Sequence, residues 1–179
     1  MRRLVTCAIV AIVAAGPLLD AAMAPVASSI PYLAQQGRPS EPLVIVTNRS
    51  NPVDKLSFAE LRSIFLGNRT YWPNGRRITL VMRDSEDPER KAILREVCGM
   101  NDSQFKALFI HGLYTGEILI SPKTLSTPAG VRKFIFNVPG AIGYLRISEM
   151  DDSVKPVRID ERMPADKGYR LRVQDQAAN

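Results

Sequence analysis

Continuous apolar runs alternate with stretches in which apolar residues recur every three or four positions, and this predicts strands separated by helices. "LVIVT" (43–47) is a β-branched run of the kind that fills a strand covered on both faces. "ITLVM" (78–82) and "AIGYLRI" (141–147) repeat that pattern, and "KPVRID" (155–160) is a candidate fourth strand. Between them, Ser57 reads as an N-cap with Glu60 three residues on, and Phe58, Leu61, Ile64 and Phe65 keep helical spacing up to Gly67. Pro88 opens a second helix that carries Ile93, Leu94 and Val97 and ends at Gly99. Asn101 or Asp102 caps a third, with Phe105, Leu108 and Phe109, and "AGVRKFIFNV" (129–138) is the fourth. Residues 114–130 read mainly as loop. The alternation implies an α/β layered domain with a mostly parallel sheet and flanking helices.

The N-terminus follows a different rule. Met1-Arg2-Arg3 and the short apolar run after it have the form of a secretory signal, broken by Gly16, Pro17 and Asp20 before it reaches the length of a membrane span. A cut after Ser28 is expected, and Cys7 lies too early for a lipoprotein box. The expected organisation is therefore a signal peptide (1–28), a Pro/Ser/Gln-rich leader (29–41), one domain (42–160) and a C-terminal extension (161–179), in a protein of the periplasm.

Charge narrows the function. Losing Arg2, Arg3 and Asp20 takes the basic count from 24 to 22 and the acidic count from 18 to 17, a formal charge of +5. Acids and bases alternate through the helices, so no nucleic-acid partner is expected. Cys98 is the one cysteine after the signal, which excludes an internal disulfide. His111 is the single histidine, and no nucleophile elbow, zinc cluster, phosphate-cradling glycine loop or calcium loop is present. The expectation is no enzyme, no metal and no cofactor.

Candidate ligand residues come from strand ends, because open α/β sheets bind ligands beyond the carboxyl ends of their strands. Arg83 and Ser85 follow the second strand, and Asn48 and Ser50 follow the first. An arginine facing a helix N-terminus is the usual construction of an anion site. Glu86, Asp87 and Glu89 crowd the same corner, however, and composition alone favours Arg83 as a local structural bridge to Asp84 or Asp87.

"LSFAELRSIFLGNRTYWPNGRRITLVMRD", the later "YTG" with "SPK", and "PGAIGYL" resemble, in order and spacing, the substrate-binding proteins of phosphate ABC transporters, most nearly a small one-lobed subgroup. The resemblance covers 42–160 and implies one three-layer lobe of a type II periplasmic binding protein. Full-size members are two-lobed clamps that close around phosphate. In them the matching arginine is followed by an acid and a Ser-Gly-Thr run that holds the phosphate oxygens. Arg83 matches that arginine, but Glu86, Asp87 and Pro88 stand where the run falls. A phosphate dianion about 4 Å from a carboxylate meets roughly 4 kcal/mol of repulsion per charge pair at an effective dielectric near 20, and proline removes a backbone donor. The resemblance thus implies a solute-binding-protein-like module with phosphate or another small anion as ligand and a membrane transporter as partner. The alternative is a ligand-free interaction domain that docks on a membrane protein or sensor through Tyr71-Trp72-Pro73.

Overall fold

The computed structural model describes residues 40–174. The expected signal peptide and nearly all of the leader lie outside the described residues. The chain runs β1 (Ser40–Asn48), β2 (Lys55–Leu56), α1 (Phe58–Phe65), β3 (Thr79–Arg83), α2 (Pro88–Ile93), α3 (Asp102–Thr115), β4 (Lys123–Leu125), α4 (Pro128–Asn137), β5 (Ala141–Arg146), β6 (Val154–Pro156), β7 (Arg158–Ile159) and β8 (Arg172–Gln174). Helix α2 continues as a π turn over Leu94–Cys98 and stops at Gly99, which takes the left-handed conformation.

The main sheet has the order β4-β3-β5-β1-β6, with β8 also paired to β1. β3 is parallel to β4 and β5, whereas β1 is antiparallel to β5, β6 and β8. The sheet is therefore mostly parallel in strand direction, with β1 the reversed member. β2 and β7 form a separate parallel pair.

Strand alternation sorts the core into two layers. Leu43, Ile45, Met82, Ile142 and Tyr144 face a cluster completed by Leu61, Phe65, Ile93, Val97 and Phe105 from α1, α2, its π turn and α3. Val44, Val46, Val81 and Leu145 face Val131 and Ile135 of α4. Helices on both faces explain why "LVIVT" is apolar without interruption. The caps behave as the sequence predicts: Ser57 and Glu60 form a reciprocal capping box, and Asn101, with Gln104, caps α3.

Three expectations change. Residues 114–130 are loop in the main but not throughout, because α3 runs to Thr115, Lys123–Leu125 adds an edge strand to β3 and α4 opens at Pro128. "KPVRID" divides into β6 and β7 on different sheets. The C-terminal extension does not begin outside the core, since Tyr169, Leu171 and Val173 are buried in the larger cluster and β8 pairs with β1. The Tyr169 hydroxyl donates to the Leu43 carbonyl at 2.8 Å, fastening this segment to the central strand.

The aromatic turn is also settled by packing. Trp72 is 2% exposed, and its indole Nε1 donates to the Gly140 carbonyl at 3.0 Å, so it covers the core beneath the turn. Tyr71 and Pro73 on either side of it are open to solvent, with Arg77 donating to the Tyr71 hydroxyl.

Candidate functional site

The corner after β3 is built from a buried arginine and a turn that folds back on it. Arg83 is 8% exposed, and its backbone N–H donates to the hydroxyl of Tyr144 at 3.0 Å. Burial pushes the Tyr144 phenol well above its ordinary range, so it stays neutral. The Arg83 Nε donates to Asp87 Oδ2 at 3.1 Å, and the same oxygen accepts the Asp84 backbone N–H at 3.2 Å. Asp87 occupies the N-cap position of α2 but makes no side-chain cap, because its carboxylate is turned back to β3. The Nη1 of Arg83 is buried without a protein partner.

The three acids of the corner separate. Glu86 points outward, with its side chain 93% exposed and Lys91 at 3.3 Å, so it does not crowd Arg83. Glu89 is buried against Arg146 Nε at 2.5 Å, and Arg146 also reaches Glu41 at 3.4 Å. Asp87 alone pairs with Arg83 among them. The reading of Arg83 as a structural bridge to Asp87 is thus realised, although one nitrogen of the guanidinium is left over.

A second charged group lies behind it. Arg90, 4% exposed, donates Nη1 to the Arg83 carbonyl at 2.9 Å and Nε to Asp102 Oδ1 at 2.6 Å. Lys106 meets the other Asp102 oxygen at 2.7 Å. Burial acts to raise the Asp102 carboxyl, but the hydrogen bonds from Lys106 and Arg90 outweigh it and hold the group below the usual carboxylate range. Sequence reasoning missed Arg90, Asp102 and Lys106. Charged residues near helix starts read as solvated faces, and only burial distinguishes them.

Asn48 and Ser50 require a correction. Because β1 is reversed, Thr47 pairs with Ile142 and Leu43 with Arg146, whereas Leu80 of β3 also pairs with Ile142. The end of β1 therefore lies at the opposite end of the sheet from Arg83. Asn48 is moreover fully engaged: Nδ2 donates to the Ile135 and Phe136 carbonyls, and Oδ1 accepts from the backbone and hydroxyl of Ser50. This pair ties β1 to α4. Ser85 does stand beside the Arg83 corner.

Other candidate chemistry is quiet. Burial pushes the Cys98 thiol up to about 11, which leaves it protonated and unreactive. His111 is exposed on α3. Among the described residues no group of three or more His, Cys, Asp or Glu could hold a metal, and no helix is long and apolar enough to cross a membrane.

No family model matches the chain. Solved structures do. An ABC-type phosphate transport receptor from Vibrio cholerae superposes with a TM-score of 0.60 at 18% identity, over 75% of this chain and 55% of that one. A substrate-binding structure with bound phosphate from Clostridium perfringens gives 0.62 at 21% identity, over 75% and 54%, and PstS from Borrelia burgdorferi gives 0.60 at 12%, over 75% and 55%. The fold is that of one phosphate-receptor lobe. This chain spans about half the length of the receptors it matches, with its sheet and four flanking helices corresponding to a single lobe of a periplasmic binding protein. These identities establish the fold, which carries many functions.

Proposed function

We propose that this domain is a secreted, periplasmic, non-enzymatic module of the solute-binding-protein kind, which takes phosphate or a similar small anion at Arg83 in connection with a membrane transporter. The observation that carries the reading is the buried Arg83 at the carboxyl end of β3, with one guanidinium nitrogen lacking a protein partner. A buried donor left unpaired costs about 1–3 kcal/mol, and an anion oxygen would relieve it. The same ligand class fits the fold, since the matched structures include phosphate-bound receptors. Asp87 limits the affinity, because an incoming dianion meets a carboxylate already 3.1 Å from the guanidinium. Calorimetric titration of the chain lacking residues 1–28 with phosphate, sulfate and small carboxylates tests this. Weak phosphate binding that Arg83→Gln abolishes is expected, and identical heats for the parent and Arg83→Gln refute it. N-terminal sequencing of periplasmic protein should find a start near Ser29.

The second reading is a domain that has replaced its ligand with Asp87 and serves as an interaction module on a membrane protein or sensor. The Arg83–Asp87 pair favours it. Its docking surface would differ from the expected aromatic turn, since the Trp72 side chain is committed to the core.

A further inference from the structure

Beside the Arg83 corner, a cavity of about 200 Å³ opens between the β3–α2 loop, β4 with the residues before it, and α3. Its apolar lining comes from Phe105, Phe109, Ile110 and Leu113 of α3. Ile110 and Leu113 are 68% and 40% exposed, on a helix face that water would normally leave polar. Hydroxyl groups are supplied by Ser85, Ser121 and Thr124. The charged residues of the lining are Arg90 and Lys106.

These two cations share one carboxylate. Arg90 holds Asp102 Oδ1 at 2.6 Å and Lys106 holds Oδ2 at 2.7 Å, so the group carries one surplus positive charge. Arg90 is buried and already bonded to the Arg83 carbonyl, which leaves Lys106, its side chain 55% exposed, as the cation able to turn to a ligand. One surplus charge complements a monoanion. An apolar cavity of about 150 Å³ accepts benzene, so this one has room for a ring or a short chain with a polar head. An inorganic anion would leave the apolar wall unused.

We propose that this cavity binds small monocarboxylates with an apolar body, the carboxylate at Lys106 and the hydroxyls, and the body against Phe109, Ile110 and Leu113. The site goes beyond the proposed phosphate corner, shares only Ser85 with it and does not depend on it.

Titration with benzoate, hexanoate and acetate, followed by amide chemical shifts of the labelled protein, tests the assignment. Benzoate and hexanoate should bind roughly tenfold or more tightly than acetate, because several apolar carbons leave water, with shifts centred on residues 105–113 and 121–124. Lys106→Gln and Ile110→Asp, both at exposed positions, should each weaken benzoate binding about fivefold or more. Equal affinity for benzoate and acetate, no binding of any of the three, or benzoate binding indifferent to both substitutions overturns the proposal. Benzoate binding retained in a protein that gives no phosphate response overturns the phosphate reading alone.

Discussion

Asp87 accepts from the Arg83 guanidinium at 3.1 Å and, through the same oxygen, from the Asp84 backbone N–H at 3.2 Å. A side chain of the protein thus makes the two kinds of contact, to a guanidinium and to a loop N–H, that a bound oxyanion would make. Glu86, exposed and paired with Lys91, contributes nothing to this arrangement.

Removing that one carboxylate should uncover affinity for phosphate. Asp87→Gly with Pro88→Thr is expected to bind phosphate at least about tenfold more tightly than the parent at low salt, since roughly 4 kcal/mol of repulsion per charge pair is relieved. Adding Glu86→Ser should change little. The Asp87 variant should also be less stable without phosphate by about 1–3 kcal/mol, because Arg83 is left buried and unpaired, and should recover as the anion is added. Calorimetry and thermal melts measure both. A parent that binds as tightly as the variant would show that Asp87 stands outside the site.

The two glycines of "PGAIGYL" allow close approach. A Cβ on Gly140 would lie 2.1 Å from the Arg77 backbone carbonyl oxygen, and one on Gly143 would lie 3.1 Å from Ile135 Cδ1 and 3.3 Å from Val81. At Gly143 the neighbours, the Val81 backbone oxygen among them, need give way by only a few tenths of an ångström, whereas a carbonyl at 2.1 Å from the new Cβ of Gly140 cannot be cleared without moving the chain. Gly143→Ala should therefore be tolerated better than Gly140→Ala, and Gly143→Val should cost about 1–3 kcal/mol by overpacking. Melting temperatures of the three variants give the order. A Gly140→Ala protein as stable as the parent would refute the close approach.

The end of the domain can be located by truncation. Ending the chain after residue 160 removes Tyr169, Leu171 and Val173 from the core together with β8. Each large apolar side chain contributes about 1.5–3 kcal/mol of burial, against a total stability of only about 5–15 kcal/mol for a domain. The product should be unfolded by amide dispersion, while a chain ending after residue 174 should fold. A folded 160-residue product would return the boundary to the position expected from the sequence.

Element type was legible where burial alone sets the pattern. "LVIVT", "ITLVM" and "AIGYLRI" are strands because both faces of the sheet are covered, and Ser57-Glu60 shows its helix start through the chemistry of the cap. Strand direction is not encoded locally, so nothing in residues 43–51 reveals that β1 is reversed and that Asn48 and Ser50 end far from Arg83. β8 had a readable signal: Tyr169, Leu171 and Val173 alternate with Arg170 and Arg172, which is the period of a half-buried strand. Arg83 could be chosen from its strand-end position. Its partner was narrowed only to Asp84 or Asp87, and the fold of the turn selects Asp87.

Asp102 gives the charge network behind the corner a pH signature. Burial alone would raise its carboxyl, but the hydrogen bonds from Lys106 and Arg90 prevail and the folded-state value is depressed. A depressed carboxylate contributes stability that is present above its unfolded value, about 3.9, and is lost as pH falls through the folded value. Asp102→Asn keeps the shape and removes the titration. Above about pH 5 the parent should exceed this variant by roughly 1.5–3 kcal/mol, the range for a hydrogen bond to a charged group, and the gap should narrow steadily as pH falls below about 4. Denaturant melts of both proteins between about pH 2.5 and 7 measure the difference. Other carboxylates titrate in both proteins and cancel, so a gap that stays constant across this range would show that Asp102 is not held by Arg90 and Lys106 as an ionised group.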